Sequence, residues 1–320
     1  MLDNLLKIKF KNTSRGRITD KISKIVFMSA TILSASFIFV IAGIIFIRGV
    51  VPFTTDNLGV GRVSLFHFLT GDVWLIGETF ASNLYSIGFI ILSTLFITLL
   101  SLAISFPVGV LTALFIAKIA PKPIAKILRI VIETLASIPS IVFGLFGAGV
   151  ILKLVYDFSS SIGYQSKGGN SILSVVIVLA LMTIPTITTI SEVAIRSVDP
   201  AIEQGSLALG ASKTQTNFKV VLSSAKSGIF TAAILGIGRS LGEATAVSLV
   251  AGGRRSGLSF DLLDTTSTLT TIMLEGLKET TGIDYDIRFS VGLVLMVVIL
   301  LTNLMLNAIK RRVGVVHVKE

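Results

Sequence analysis

Long apolar runs separated by shorter polar segments dominate this chain. A bilayer hydrocarbon core of roughly 30 Å takes about 20 helical residues, and six runs reach that length. They are Ile25–Ile47, a stretch within Ile87–Ala117, a stretch within Ile130–Val155, Ile172–Ile190, Gly228–Val250 and Phe289–Ala308. The second run is too long for an upright helix, and Pro107 predicts a bend in it. Pro139 and Pro185, inside the third and fourth runs, predict local breaks and are candidate gating positions. Such breaks are tolerated where protein or a cavity satisfies the freed backbone groups. Between runs one and two lies a polar segment containing PFTTDN and FHFLTGDVW, whose Trp74 and neighbouring rings are expected at the membrane–water boundary. DFSSSIGYQSKGGN reads as a turn, and TLTTIMLEGLKET, within residues 251–287, as a short surface or re-entrant helix.

Composition agrees with the pattern. Of 320 residues, 52% are hydrophobic and 14% charged, with a mean hydropathy of +0.88; a soluble domain carries about 25% charged residues. The expected fold class is an all-α polytopic membrane protein with six transmembrane helices. Net charge is +10. In a soluble protein that would suggest nucleic acid, but here the basic residues flank the spans, so no nucleic-acid partner is expected. Six spans put both termini on one side. That side holds nineteen Lys and Arg, seven in residues 1–24 and four each in 118–129, 194–227 and 309–320, against eight on the other. The bias predicts cytoplasmic termini in a cell membrane. The expected organisation is a basic segment over 1–24, a transmembrane domain over 25–308 that includes a cytoplasmic loop over 192–227, and a basic tail over 309–320. The first run follows seven basic residues and is too long for an ordinary signal peptide, so it reads as a retained span. The absence of cysteine excludes disulfides, Fe–S clusters and cysteine-ligated zinc. His67 and His317 stand in no ligand pattern, and no metal site is expected.

The fifth run, GIFTAAILGIGRSLGEATAVSLV, carries Arg239 near its middle. A lone arginine there costs at least ~2.5 kcal/mol, so something must offset it. Read as one helix, Glu243 lies a turn further on the same face, and Gly236, Gly238 and Gly242 permit a neighbouring helix to approach closely. The guanidinium fork suits an oxyanion, while Glu243 would hold the fork between turnovers and keep the site from becoming a deep anion trap. A purely structural ion pair is the competing reading. Glu133, in the third run, is a further candidate, either pairing with Arg239, facing a polar cavity or snorkelling.

The loop SVDPAIEQGSLALGASKTQTNFKVVLSSAKSG is the most informative polar segment. Asp199–Pro200 predicts an N-cap and first helical residue, Gly210 a helix stop, and Ser212 with Gln215 a capping box for a second helix. Phe218, Val221 and Leu222 are expected to share its apolar face. The predicted product is a short helix, a glycine bend, and a helix leading into the fifth span. It serves as a docking element for a cytoplasmic partner or simply lies on the bilayer. No G-x-x-x-x-G-K-[ST] loop occurs, since GASKT is not one, so any ATP used must bind another subunit.

This loop resembles the EAA loop of ABC importer permeases, whose pattern is E-A-A, three residues, G, nine residues, I-x-L-P. Gln204, Gly205 and Ser206 occupy the first positions, Gly210 the glycine, and Val220 and Leu222 the I and L. Ser223 replaces the proline, and Glu203 is displaced by one from the acidic position. IETLASIPSIVFGLFG at 132–147, EQGSLALGA at 203–211 and GIGRSLGEATAVSLVAG at 236–252 are similar to PstC-type permeases of phosphate ABC importers, and FLTGDVW at 68–74 agrees. The resemblance covers nearly the whole chain, and GRSLGEATAV is its most specific part. It implies a type I ABC importer permease that pairs with a PstA-type permease. It also implies two copies of a PstB-type ATPase carrying ATP and magnesium, and an external phosphate-binding protein that delivers inorganic phosphate. The chain itself would hold no cofactor and would not be an enzyme. Arg239 and Glu243 would lie on the phosphate path, and Glu203, Gln204, Gly205, Ser206, Gly210, Val220 and Leu222 would couple to the ATPase. Alternatives are a permease for sulfate or molybdate, the PstA-type subunit itself, an ion-coupled secondary transporter, or a regulatory membrane scaffold. A stand-alone enzyme fits least, because no nucleophile–base pair or metal cluster is visible.

Overall fold

The computed structural model describes residues 14–57, 61–76 and 84–314. His317 and most of the two basic terminal segments lie outside them. The chain divides into two compact units, Met1–Arg48 and Gly49–Glu320. The first contains the greater part of helix α1, Ser14–Thr54. The packing and sites described below lie in the second.

Its helices are α2 (Leu65–Thr70), α3 (Gly88–Leu114), α4 (Lys122–Ser137), α5 (Ser140–Phe146), α6 (Leu152–Ser161), α7 (Ile172–Arg196), α8 (Pro200–Ala208), α9 (Lys213–Gln215), α10 (Leu222–Gly242), α11 (Thr245–Ser248), α12 (Leu269–Leu274) and α13 (Ile283–Gly314). π-helical turns at Phe115–Ile119, Gly147–Ile151 and Thr216–Val221 extend α3, join α5 to α6, and join α9 to α10. Among the described residues, six helical stretches are long and apolar enough to cross a membrane: Asp20–Thr54, Gly88–Ile119, Ser140–Ser161, Ile172–Arg196, Lys213–Gly242 and Ile283–Arg312.

Helix α7 is the central element, buried on most sides through Val175, Val178, Leu179, Met182, Ile187 and Ile195. At one end it packs with α11 through Val178, Ala246, Val247 and Val250. At the other it packs with α3 and α10 through Val110, Leu114, Ile187, Ile195, Ala225 and Ile229. Lipid tails are as apolar as these side chains, so close packing rather than water exclusion holds such helices together. The contact is tight. A Cβ at Gly228 of α10 would lie 2.3 Å from Ala194 Cβ, and one at Gly109 of α3 would lie 2.7 Å from Ile187 Cγ2. A third cluster, around Phe68, Trp74, Tyr85, Leu269, Ile287 and Val291, gathers α2, α12 and α13.

The structure corrects several expectations. The third apolar run is not one span. Ile138 and Pro139 are extended (ψ 127° and 143°), so α4 ends there and the membrane helix begins at Ser140. Residues before the break belong to an amphipathic helix, whose Lys122, Lys126, Arg129 and Glu133 recur at spacings of four, three and four. Pro185 does not break α7, which runs through it unbroken to Arg196. Trp74 is buried within the protein, with its ring edge-on to Tyr85 at a centroid distance of 6.4 Å. Only Leu269–Leu274 of TLTTIMLEGLKET is helical, and its first turn is buried in the protein.

Candidate functional site

The fifth membrane helix stops at Gly242, inside the apolar run that predicted a single span. Glu243 is extended (φ −80°, ψ 118°). Its carboxylate Oε1 accepts the N–H of Ala246 at 3.0 Å, satisfying a backbone donor at the start of α11. That local bond explains why the helix ends and why the expected pair does not form. Once the backbone leaves the helix, residue 243 no longer sits over residue 239. Arg239 lies in the last turn of α10, half-buried, and its Nη1 donates to Thr186 Oγ1 of α7 at 2.9 Å. Among the described residues no ion pair joins Arg239 to Glu243 or Glu133. A guanidinium has five N–H donors, and this bond uses one.

Hydroxyls surround the break. Thr270 of α12 donates to the Glu243 carbonyl at 2.8 Å, and its Oγ1 lies 2.9 Å from that of Thr268. Thr268 and Thr271 form a capping box, and the Leu269 N–H reaches across to Thr94 Oγ1 of α3 at 3.0 Å. The α12 N-terminus is thus anchored against α3 beside Glu243. Glu133 is far from this constellation in the bonding network. It is exposed on α4, where it lines a cavity with Arg129, Thr189, Glu192 and Arg196.

The loop after α7 folds as its capping residues dictate. The Asp199 carboxylate accepts the Ala201 N–H at 2.8 Å, and Pro200 opens α8. Gly210 takes φ +86°, where a side chain would be strained. Ser212 and Gln215 form the capping box that starts α9. Helix α8 buries none of its residues. Gln204 and Gly205 are exposed, Ser206 Oγ lies 2.9 Å from Thr216 Oγ1, and Val220 and Leu222 are half-buried. Glu203 forms an ion pair with Lys118 at 2.5 Å. The apolar face differs from expectation: Val221 is buried while Phe218 is exposed. The π turn over Thr216–Val221 widens the helix there, which shifts register and turns Phe218 outward.

The family of binding-protein-dependent transport system inner membrane components matches residues 105–315. The chain belongs to that family. This permease is 37% identical over 255 residues to the probable ABC transporter permease protein YqgH of Bacillus subtilis (strain 168), covering 79% of this chain and 80% of that one. It is 30% identical over 289 residues to the phosphate transport system permease protein PstC 1 of Mycobacterium tuberculosis (81% and 86% covered). It is 28% identical over 258 residues to the probable phosphate transport system permease protein PstC of Methanocaldococcus jannaschii (77% and 81%). In fold it is similar to a chain of a bacterial alginate ABC transporter, solved with an alginate pentasaccharide-bound periplasmic protein. That likeness has a TM-score of 0.60 at 19% identity, over 93% of this chain and 98% of that one. The protein is a multi-pass ABC importer permease of the type I architecture.

Two charged networks in the permease went unread in the sequence. Glu192 of α7 is buried, and its Oε1 accepts Nε and Nη2 of Arg129 at 3.1 and 2.6 Å and Nε of Arg196 at 2.7 Å. The hydrogen bond and charge of Glu192 hold the Arg129 guanidinium above its ordinary pKa. Arg196 stands at the i+4 position that sequence spacing signals, but Arg129 comes from α4 and has no local signal. The second network is Tyr85, whose hydroxyl donates to Asp284 Oδ1 at 2.8 Å, with Arg288 buried a turn beyond and its Nε donating to the Asp284 carbonyl at 3.1 Å. Burial, then the Asp284 hydrogen bond and charge, raise the Tyr85 pKa, so the phenol keeps its proton and acts as the donor.

Proposed function

We propose that this permease passes inorganic phosphate from an external binding protein to the cytoplasm, with Arg239 on the path. One observation carries the reading: Arg239 is a half-buried guanidinium at a helix break, hydrogen-bonded to a neutral threonine and, among the described residues, paired with no carboxylate. An anion with several oxygens can take up its remaining donors, and the Thr270 hydroxyl, bonded to the Glu243 carbonyl, adds a neutral polar group at the break that ends the same helix. Glu243, spent on capping α11, lies next to the path and limits how tightly an anion is held. The names of the PstC relatives support phosphate as the cargo.

In this reading the cytoplasmic face is the one bearing α4, α8 and the nineteen basic residues, and the termini over 1–24 and 309–320 are cytoplasmic. The 192–227 loop, with exposed α8 at its tip, docks an ATPase. Gln204, Gly205 and Ser206 sit at the contact, Glu203 fixes α8 to Lys118, and Gly210, Val220 and Leu222 shape the bend and the helix behind it. ATP and magnesium are held by two copies of that ATPase, and a PstA-type permease completes the pathway. Closure of the ATPases moves α8, and alternating access follows. Pro139, as the hinge between α4 and α5, and Pro185, beside Thr186, are the gating positions. The test is uptake by the co-purified complex in proteoliposomes, with binding protein and ATP supplied and sulfate or molybdate as competitors. ATP-dependent phosphate uptake that excess sulfate and molybdate leave unchanged is expected. Uptake of those anions in its place, or uptake driven by an ion gradient without ATP, would overturn the reading.

A further inference from the structure

The buried carboxylate of Glu192 is not explained by the path around Arg239, and its connections run elsewhere. Starting from α8, Glu203 pairs with Lys118, which lies in the π turn closing α3. The same turn offers the Ile116 carbonyl to Arg196 Nη2 at 3.3 Å. Arg196 donates from Nε to Glu192, and Glu192 accepts two bonds from Arg129 of α4. Helix α4 has little else to hold it. Ala125 is its one buried residue, and a cavity of about 340 Å³ lies between it and α7. Beyond α4 the extended pair Ile138–Pro139 leads into α5. There Gly144 packs so closely on α11 that a Cβ would lie 2.8 Å from Ala246 Cα. Ala246 is the residue whose N–H is capped by Glu243.

We propose that Glu192 is a positioning residue for transport. It ties α4 to the coupling helix α8 through Arg196, the Phe115–Ile119 turn and the Lys118–Glu203 pair. A displacement of α8 thereby reaches the α5–α11 contact and the Glu243 break by a route separate from α10. This rests on α8 being the ATPase docking helix. The physical basis is that α4 is held by charge more than by packing. An exposed ion pair alone contributes little, but Glu192 is buried, and its two arginine partners give it one preferred arrangement. A helix held in this way can follow α8 without repacking a dense interface.

The experiment uses the complex co-purified with its partner subunits. The chain has no cysteine, so introduced cysteines are the only thiols it contributes, and the partner subunits are used in cysteine-free form. One pair reports α4, at Ile127 and Leu99; a second reports the coupling loop, at Lys213 and Leu99. All three residues are exposed in this chain. In the otherwise unaltered protein both distances should change between nucleotide-free and ATP-trapped states. In Glu192→Gln the Lys213 change should persist while the Ile127 change is lost, and substrate imported per ATP should fall by about fivefold or more. Lys118→Met should reproduce this, and the double variant should be no worse than the more affected single one, because both cut one route. If Glu192→Gln fails to assemble, Arg129→Gln tests the same link while leaving Glu192 paired with Arg196. A surviving Ile127 change in either variant, or additive losses in the double variant, would overturn the proposal. The distances are read without substrate, so they stand whether or not the cargo is phosphate. A Lys213 distance insensitive to ATP would refute the docking assignment and this proposal together. An Ile127 distance that alone ignores ATP would refute this proposal only.

Discussion

Replacing Gly228 by alanine tests the close packing of α10 against α7. A Cβ at 228 would lie 2.3 Å from Ala194 Cβ. Carbon–carbon contacts sit at about 3.5–4.0 Å, so α7 and α10 must part by roughly 1.2–1.7 Å or deform locally. Neither side can yield by rotating a flexible side chain, because both groups are methyls on helix backbones. Overpacking of this kind costs about 1–3 kcal/mol. Against this, alanine in place of a helical glycine gains roughly 0.5–1 kcal/mol. Gly238→Ala, in the same helix, removes that ambiguity. It gains the same propensity, and its Cβ meets nothing within 4 Å. The difference between the two variants therefore isolates the clash and should fall near 1–3 kcal/mol. One kcal/mol shifts Tm by about 2–4 °C in chains of 150–250 residues, and by less in one of 320. The assay is thermal unfolding of the detergent-solubilised permease, followed by the loss of the monodisperse species. Gly228→Ala should melt a few degrees below Gly238→Ala. Exchanging the partners, Gly228→Ala with Ala194→Gly, should recover most of the loss, because the methyl moves from one helix to the other. Equal melting of the two single variants, or no recovery in the exchange, would refute the reasoning.

Two further predictions follow from single contacts. Tyr85→Phe keeps the ring against Trp74 but removes the donor to the buried Asp284 carboxylate. The cost should be about 1.5–3 kcal/mol, as for a hydrogen bond to a charged group. Adding Asp284→Asn should show a coupling energy in a double-mutant cycle of unfolding, and strict additivity would contradict the contact. Gly210→Val forces a β-branched residue to φ +86° between α8 and α9, at a cost of roughly 1–3 kcal/mol. ATPase co-purification and its stimulation should weaken; unchanged values would count against the bend as a docking element.

How much of this was legible in the sequence depends on the length scale of each signal. Membrane spans were readable because hydropathy sums over about 20 residues and averages away local irregularity. Capping residues were readable because Asp199–Pro200, Gly210 and Ser212 with Gln215 act on backbone groups within three positions. The same averaging hid what happens inside a run. Hydropathy does not register the end of a helix at Gly242, so Arg239 and Glu243 read as a pair on one face when a break separates them. Ile130 and Leu135 read as membrane residues, although the 122, 126, 129, 133 stripe of charges marked an amphipathic helix. The π turn at 216–221 has no composition signal, and Phe218 was placed on the wrong face for that reason. The burial of Trp74 comes from tertiary packing against Tyr85, which the aromatic content of its own segment does not encode. Glu192 shows the remaining limit. Its i+4 partner Arg196 is written in the spacing, while Arg129 lies 63 residues earlier and meets it only through the fold.

The central claim is that the Arg239 guanidinium handles the transported anion. Its most direct test is ATP-driven phosphate uptake by a reconstituted complex carrying Arg239→Gln, with assembly and ATPase docking measured on the same sample. Glutamine can still bond Thr186 but carries no charge. Uptake should fall by about 10–150-fold, the range of a lost charge-assisted hydrogen bond of about 1.5–3 kcal/mol, while the subunits remain assembled. Uptake at the unaltered rate from a fully assembled Arg239→Gln complex would contradict the account.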